Sequence, residues 1–465
     1  MMKCRIAFLI TIICILCVCC ACTDTVSVSK NSPVYDTESS YKDKEMETLT
    51  VPTEEYLKTN EDYYKIIEDN IRGTVQDYIC DKVDYAFISW ICSTYNADFA
   101  KDFSDVLTTN TYTDSFWHEH TGYSFHVLWD YYSYTPYTED NSIYIKEAAD
   151  KEFVTMTFVG DLCLSEGWYT LDKYDETGGD LNQCISSDLI ERLKSADIFM
   201  LNNEFTFSDR GSPLNGKYYT FRADTRRVSI LTALGTDVVS IANNHIFDFG
   251  ADSFYDTMST LSENSIPYFG GGKDLGEACR PVFFIVNGMK IGFVGASRAE
   301  KIRYTPGASA DSPGILLTYD NTDYLKVISE TKKNCDYLVA YVHWGTEDSH
   351  DVTDYQKTMG YQFIDAGADI VVGGHPHVLQ GIEYYNGKPI LYSLGDFWFN
   401  YETKETGAVE VQITPSGLKS MKFLPCMQDM FTTTLKTDSI ESRRIYDFLQ
   451  NLSFGITIDD EGYIK

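Results

Sequence analysis

The sequence predicts an α/β protein, with a largely parallel or mixed central sheet and a helical, aromatic appendage on its N-terminal side. From Phe153 onward, short apolar runs alternate with helix-length segments, which is the pattern of βαβ units. Before that point, from Glu55 to about Asp150, apolar and aromatic residues recur at helical spacing. At 465 residues the chain is long enough for one large α/β domain beside such an appendage.

The elements follow in order. Residues 1–22 read as an export leader: the basic start Met1-Met2-Lys3-Cys4-Arg5, an apolar stretch from Ile6 to Cys22, then the polar Thr23-Asp24-Thr25. The stretch is marginal for a spanning helix, which wants about 20 residues. Its end, Leu16-Cys17-Val18-Cys19-Cys20-Ala21-Cys22, resembles a bacterial lipobox. Cys22 after Ala21 is the expected lipidation site, with Cys20 or Cys19 as alternatives. The chain is therefore expected at the extracellular face of the cell membrane, held by a lipid or by an N-terminal helix. Residues 23–55, rich in Ser, Thr, Asp, Glu and Lys, read as a flexible tether.

Residues 56–150 form the expected appendage, with Tyr63-Tyr64-Lys65-Ile66-Ile67, the run Val83 to Ile91, and Trp117, Trp129, Tyr131 and Tyr132 as its apolar content. His118, His120 and His126 lie there without carboxylates at matched spacing and read as surface residues. Residues 151–430 form the main domain. Its expected strands are Val154 to Val159, Ile198 to Leu201, Val238 to Ala242, Pro281 to Val286, Ile291 to Val294, Tyr337 to Val342 and Ile370 to Val372. Between them, 186–194, 225–234, 253–264, 323–333 and 354–366 read as helices. After Gly373 the pattern turns antiparallel: 380–385, 389–394, 408–413 and 419–424 read as strands, with Asn386-Gly387 as a hairpin turn. Residues 431–465 close the chain with a helix over 439–452 and a tail.

Composition narrows the function. With 69 acidic against 38 basic residues, the net charge of −31 repels polyphosphate backbones, so nucleic acid is excluded as a partner. Of 13 cysteines, six lie in the leader and seven (Cys80, Cys92, Cys163, Cys184, Cys279, Cys335, Cys426) are scattered without CxxC spacing. That excludes a disulfide scaffold or zinc ribbon. Cys80 and Cys92 are the one pair to test for a bridge.

Histidine carries the chemistry. Four of the eight histidines, His245, His343, His375 and His377, follow short apolar runs. Five motifs fall at strand ends, where α/β sheets place ligands: Gly160-Asp161, Asn202-Asn203-Glu204, Asn243-Asn244-His245 continuing to Asp248 and Gly250, His343-Trp344-Gly345, and Gly374-His375-Pro376-His377. The order carboxylate, carboxylate, Asn-His, His, His-x-His is a ligand set for two ions about 3.5–4 Å apart.

These motifs, with Tyr219-Thr220-Phe221-Arg222, the run Gly367 to His377 and Leu391 to Phe397, resemble the CapA family. This is the poly-γ-glutamate capsule branch of the calcineurin-like metallophosphoesterase superfamily, and the match spans roughly residues 153–400. The resemblance implies an αββα sandwich with mixed sheets and a site for two divalent ions, with Mn, Fe or Zn suited to the ligands. It implies that Asp161 and His377 serve one ion, that Asn244, His343 and His375 serve the other, and that Glu204 bridges. His245 would face the substrate as general acid or oxyanion stabiliser, Asp248 would orient it, and Arg222 would hold an anionic substrate group. The implied partners are an anionic polymer such as poly-γ-glutamate and membrane-bound capsule synthesis proteins.

Three positions depart from the pattern. Cys163 stands where the broader superfamily has a histidine, and its thiol is expected in the core. Asn203 replaces a leucine, and Asp396 replaces an asparagine. Three functions stay open: a capsule-type protein, a metal-dependent phosphoesterase or other hydrolase of another substrate, and a non-catalytic scaffold of the same fold.

Overall fold

Runs of β-branched and aromatic residues between Ile143 and Leu435 pair into two mixed sheets. The computed structural model describes residues 54–132, 143–299 and 304–465; the leader with Cys22 and the tether up to residue 53 lie outside the described residues. One sheet runs Thr432–Leu435, Gly417–Asp429, Lys404–Thr414, Val154–Leu162, Ile198–Asn203, Val238–Ser240, Tyr268–Phe269, with Asp396–Trp398 added beside Val154–Leu162. The other runs Ile143–Lys146, Val282–Val286, Met289–Ser297, Tyr337–His343, Ile370–Gly374, Lys388–Leu391, Ile382–Tyr385. In the first sheet 154–162, 198–203, 238–240 and 268–269 are mutually parallel. In the second the parallel set is 289–297, 337–343, 370–374 and 388–391.

Alternation of side chains decides the layering. Ile198 and Met200 point into a core shared with Tyr337, Val339 and Tyr341 of the other sheet. Phe199 and Leu201 point away, against helices Ser187–Lys194, Val228–Leu234 and Ala251–Glu263. On the far side Leu338, Ala340 and Val342 meet Thr322–Lys332 and Asp354–Asp365. Helices, sheet, sheet, helices is the αββα sandwich.

The strands expected from 153 onward all form, and several run further: 154–162 and 289–297 carry nine residues each. The strand expected over Val238 to Ala242 stops at Ser240, so Asn243-Asn244-His245 lies in the loop beyond it. The 386–387 turn has both residues at positive φ, 51° and 76°, as a two-residue hairpin of this twist requires. The 439–452 helix forms as expected, capped by Asp438, whose carboxylate accepts from the N–H groups of Ile440 and Glu441.

Helices Glu54–Asn70, Asp77–Cys80, Tyr85–Thr94, Phe99–Thr108, Ser115–Thr121 and Phe125–Tyr132 close round their own aromatic core of Phe87, Phe99, Phe103, Phe116, Trp117 and Phe125. They dock on the second sheet through Ser124 Oγ, which donates to Asp336 Oδ2 (2.7 Å), and the Lys290–Asp130 ion pair (2.6 Å). Trp117 is fully buried, and Trp117→Ala is expected to destabilise this cluster by about 3–5 kcal/mol. Denaturation followed by far-ultraviolet circular dichroism reads the loss, and an unmoved midpoint rejects the aromatic cluster as its core.

Three expectations for this region change. Ile143–Lys146 is a strand, parallel to 283–286, in a stretch expected to be helical; the pairing is tertiary and leaves no local period. His126 is buried, stacked on Tyr78 at 5.4 Å, and not on the surface, because it lies toward Lys290 and Lys332 of the main domain. Cys80 and Cys92 are not bridged; both are free and buried, and Cys80 Sγ donates to Val75 O at 3.4 Å. Among the described residues no helix is long and apolar enough to cross a membrane.

Candidate metal centre

The carboxyl ends of the parallel strands of both sheets meet at one point. Asp161 ends the 154–162 strand, Glu204 follows 198–203, His343 ends 337–343, and His375 and His377 follow 370–374. Asp161, Glu204 and His343 are wholly buried. Ligand atoms within 4.8 Å of one another occur in three sets: Asp161, Glu204 and His343; Glu204, His375 and His377; Asp161, His377 and Asp396. Asn244 joins them, its Oδ1 2.8 Å from His343 Nε2. All six sequence-predicted ligands are thus brought together. The set Asp161, His377 and Asp396 keeps the implied pairing of Asp161 with His377, while the other two sets also group His343 with Asp161 and His375 with His377.

Local backbone makes this convergence possible. A Cβ on Gly374 would lie 2.6 Å from Asp161 Oδ1, so only glycine lets the second sheet approach the acid. The chain then turns through His375 at φ 96° and His377 at φ 57°, conformations that cost energy in non-glycine residues and gather at functional sites. The turn aims the His375 N–H at Asp161 Oδ2, 2.9 Å away.

Two polar atoms test whether a cation fits. Glu204 Oε1 and His375 Nδ1 are buried without a hydrogen-bond partner. Such orphans are rare in native proteins, and a divalent ion satisfies both; carboxylate and imidazole together suit Mn, Fe or Zn. The electrostatics agree. Burial, then repulsion from Glu204, pushes Asp161 up to about 7, and burial raises Glu204 to about 8. Burial lowers His343 to about 4 and holds His375 well below its ordinary value. Burial also works against charge on His377, but Asp396, Glu204 and Asp161 outweigh it and hold the ring at about 10. An ion needs ionised carboxylates and neutral imidazoles, so protons leave as it enters. Affinity is expected to rise with pH across about pH 6–9, by about tenfold per unit for each proton displaced. Calorimetric titration in buffers of different ionisation enthalpy counts those protons, and a pH-independent affinity rejects the site.

His245 Nδ1–H donates to Asp248 Oδ2 at 2.7 Å, and Phe221 packs on the ring at 4.5 Å. Burial lowers this histidine to about 4. A neutral ring with its proton on Nδ1 carries a lone pair on Nε2, which suits proton acceptance; the general-acid role would need the charged ring that burial disfavours. Arg222 lies apart from the ligands, lining a cavity of about 310 Å³ with Phe249 and Asp224.

Several residues have roles at the site that the sequence reading did not give them. Asn202 Nδ2 donates to Asp161 Oδ1 (2.8 Å) and Glu204 Oε2 (3.2 Å), fixing the two carboxylates relative to each other. Lys217 Nζ pairs with Asp248 Oδ1 at 2.7 Å and donates to Asn244 O. Asp396 lies cross-strand from Asp161 and accepts from His377 Nδ1–H at 2.7 Å. Its signal was a second Gly-Asp, at 395–396, repeating 160–161. Cys163 is fully buried in the core cluster behind the first sheet, and burial pushes its thiol well above the ordinary range. The extra acid beside Asp161 and His377 is therefore Asp396. Asn203 turns away from the ligands, Nδ2 donating to Phe205 O.

Residues 155–401, more than half of the chain, match the model of the bacterial capsule synthesis protein family PGA_cap. The chain belongs to this family. The matched span holds every ligand named above and ends five residues past Asp396. Among individual relatives, the PGA biosynthesis protein CapA of Bacillus subtilis is 27% identical over 317 residues, 66% of this chain and 81% of that one. The capsule biosynthesis protein CapA of Bacillus anthracis is 28% identical over 315 residues, 64% of this chain and 73% of that one. Among solved structures, the 5′-nucleotidase of Candida albicans SC5314 overlaps only slightly, with a TM-score of 0.34 and 12% identity over 66% of this chain and 56% of that one. Membership in the capsule synthesis family joins the PGA_cap motifs to the strand ends that carry the candidate ligands.

Proposed function

We propose that this protein works outside the cell, tethered to the membrane through Cys22 or an N-terminal helix, in the synthesis, export or attachment of poly-γ-glutamate or a related anionic capsule polymer. The metal centre is the working site, and membrane-bound capsule synthesis proteins are its partners. The observation that carries the reading is the burial of Glu204 Oε1 and His375 Nδ1 without hydrogen-bond partners inside a family named for capsule synthesis. The names of the Bacillus relatives supply the polymer.

Asp161, Glu204, Asn244, His343, His375 and His377, with Asp396 added, would hold the ions. A divalent ion there supplies Lewis-acid polarisation and positive charge for an anionic substrate. Asn202 holds the two carboxylates apart in a fixed relation. Asp248 fixes the His245 tautomer, leaving Nε2 to take a proton from the reacting group. Lys217 neutralises Asp248 in a buried setting, which keeps that dyad from repelling a polyanion.

Complementation tests the reading. In a capsule-forming Bacillus lacking its own CapA, this chain is expected to restore cell-associated poly-γ-glutamate and His375→Ala to restore less than about a tenth of it. Equal restoration by His375→Ala sinks the metal-dependent form of the proposal. The His245–Asp248 dyad beside the ligands favours a second reading, a phosphoesterase of another substrate. Rapid metal-dependent turnover of a p-nitrophenyl phosphodiester, lost in His245→Ala, would establish that one instead.

A further inference from the structure

In a chain this acidic, arginines find acids. Every other arginine among the described residues lies within ion-pair distance of a carboxylate. Arg222 and Arg298 do not, and they are built alike. Arg222 Nη1 donates to two successive backbone carbonyls, Arg210 O (2.9 Å) and Gly211 O (3.3 Å). Arg298 Nη1 donates to Thr318 O (3.1 Å) and Tyr319 O (3.4 Å). The Arg222 guanidinium lies on the Phe249 ring at 4.1 Å, and that of Arg298 lies on the rings of Tyr319 and Tyr355 at 5.0 and 4.7 Å. In both, one nitrogen and the flat face are committed, while the Nε–Nη2 edge has no hydrogen-bond partner among the described residues. That edge is the fork that binds a carboxylate through two parallel hydrogen bonds.

Their placement is also matched. Arg222 follows Phe221, whose ring packs on His245. Arg298 follows Ser297, which pairs in register with His343, and its N–H donates to His343 O at 2.8 Å. Arg222 thus sits one residue along the chain from a side chain that packs on His245, and Arg298 is tied through its backbone to the candidate ligand His343.

We propose that Arg298 is a second carboxylate-binding position besides Arg222, and that the two clasp separate acidic groups of one extended polyanion. The proposal rests on the reading that the substrate is such a polymer. Pinning each guanidinium before the ligand arrives removes the entropy of ordering a long side chain. Leaving it without an acid partner means that no internal ion pair has to be broken. Two linked positions favour a chain with recurring carboxylates over a single carboxylate, because the second contact is intramolecular.

Binding of fluorescent poly-γ-glutamate to the full chain, read by anisotropy at fixed salt, tests this. Arg298→Gln and Arg222→Gln are each expected to weaken binding about tenfold, and Arg298→Lys to recover only part of the loss, since lysine lacks the fork. Free glutamate is expected to bind far more weakly than the polymer. Arg72→Gln, an equal charge change at an exposed, acid-paired site, controls for the overall field, and unchanged circular dichroism controls for folding. Polymer binding that Arg298→Gln leaves intact, or that Arg72→Gln weakens equally, overturns the clasp while the polymer reading stands. If the wild type ignores poly-γ-glutamate but binds a phosphate polymer such as teichoic acid through Arg298, the clasp stands and the polymer reading falls.

Discussion

Asp161→Ala is expected to abolish stoichiometric metal binding, weakening affinity at least about a hundredfold, since even outer-shell changes at such sites cost about 10–100-fold. Asp161 belongs to two of the three ligand sets and is held from two sides, by Asn202 Nδ2 and by the His375 N–H. Removing it therefore deletes a ligand and releases the turn that aims the histidines. Elemental analysis after dialysis and competition with a chelating dye give the number. A thermal series separates ligand loss from misfolding. Wild type gains stability with added ion by linkage, whereas Asp161→Ala gains none. Its metal-free form is expected to unfold no earlier than wild type, because the variant loses a buried acid pushed up to about 7 by burial and Glu204. A variant that keeps a full complement of metal sinks the assignment.

Gly160→Ala is expected to cost about 3 kcal/mol or more, or to leave no soluble protein. A Cβ at this position would sit 1.8 Å from Gly395 O. Both partners are backbone, so neither can swing aside, and the Asp161 N–H donates to that same carbonyl at 2.9 Å. Separating the two strands would also part Asp161 from Asp396. Gly387→Ala is the contrast: its φ is 76° but nothing lies within 4 Å of the added carbon, so the expected cost is about 1 kcal/mol. Denaturant midpoints compare the two. A Gly160→Ala protein within about 1 kcal/mol of wild type would show that the strands do not approach this closely.

What could be read in the sequence was what is local. Asp161, Glu204, His343 and His375 each directly end or follow a short apolar run, and a strand end is a place that sequence marks. The alternation from Phe153 onward marked the βαβ units for the same reason, whereas the two-sheet layering was implied by the family resemblance. Asp396, noted only as a departure from the family pattern, and Asn202, noted only within a motif, were given no role at the site because their work lies in pairings across the sheet. The register that sets Asp396 opposite Asp161 joins residues 235 apart in sequence, and the amide of Asn202 matters only once Glu204 and Asp161 are near. Ile143–Lys146 was misread because its partner strand, not its own four residues, makes it a strand. His126 was misplaced because burial in the appendage depends on Tyr78.

The candidate metal ligands divide by chemistry as well as by position. The carboxylates and amide of Asp161, Glu204, Asn244 and Asp396 come from one sheet, and the imidazoles of His343, His375 and His377 come from the other. An ion captured there acts as a rivet through the sandwich. Neither half of the coordination shell survives if the sheets slide apart, so the bound ion raises the barrier to unfolding as well as the equilibrium stability. That mechanical closure sets the working lifetime of the fold.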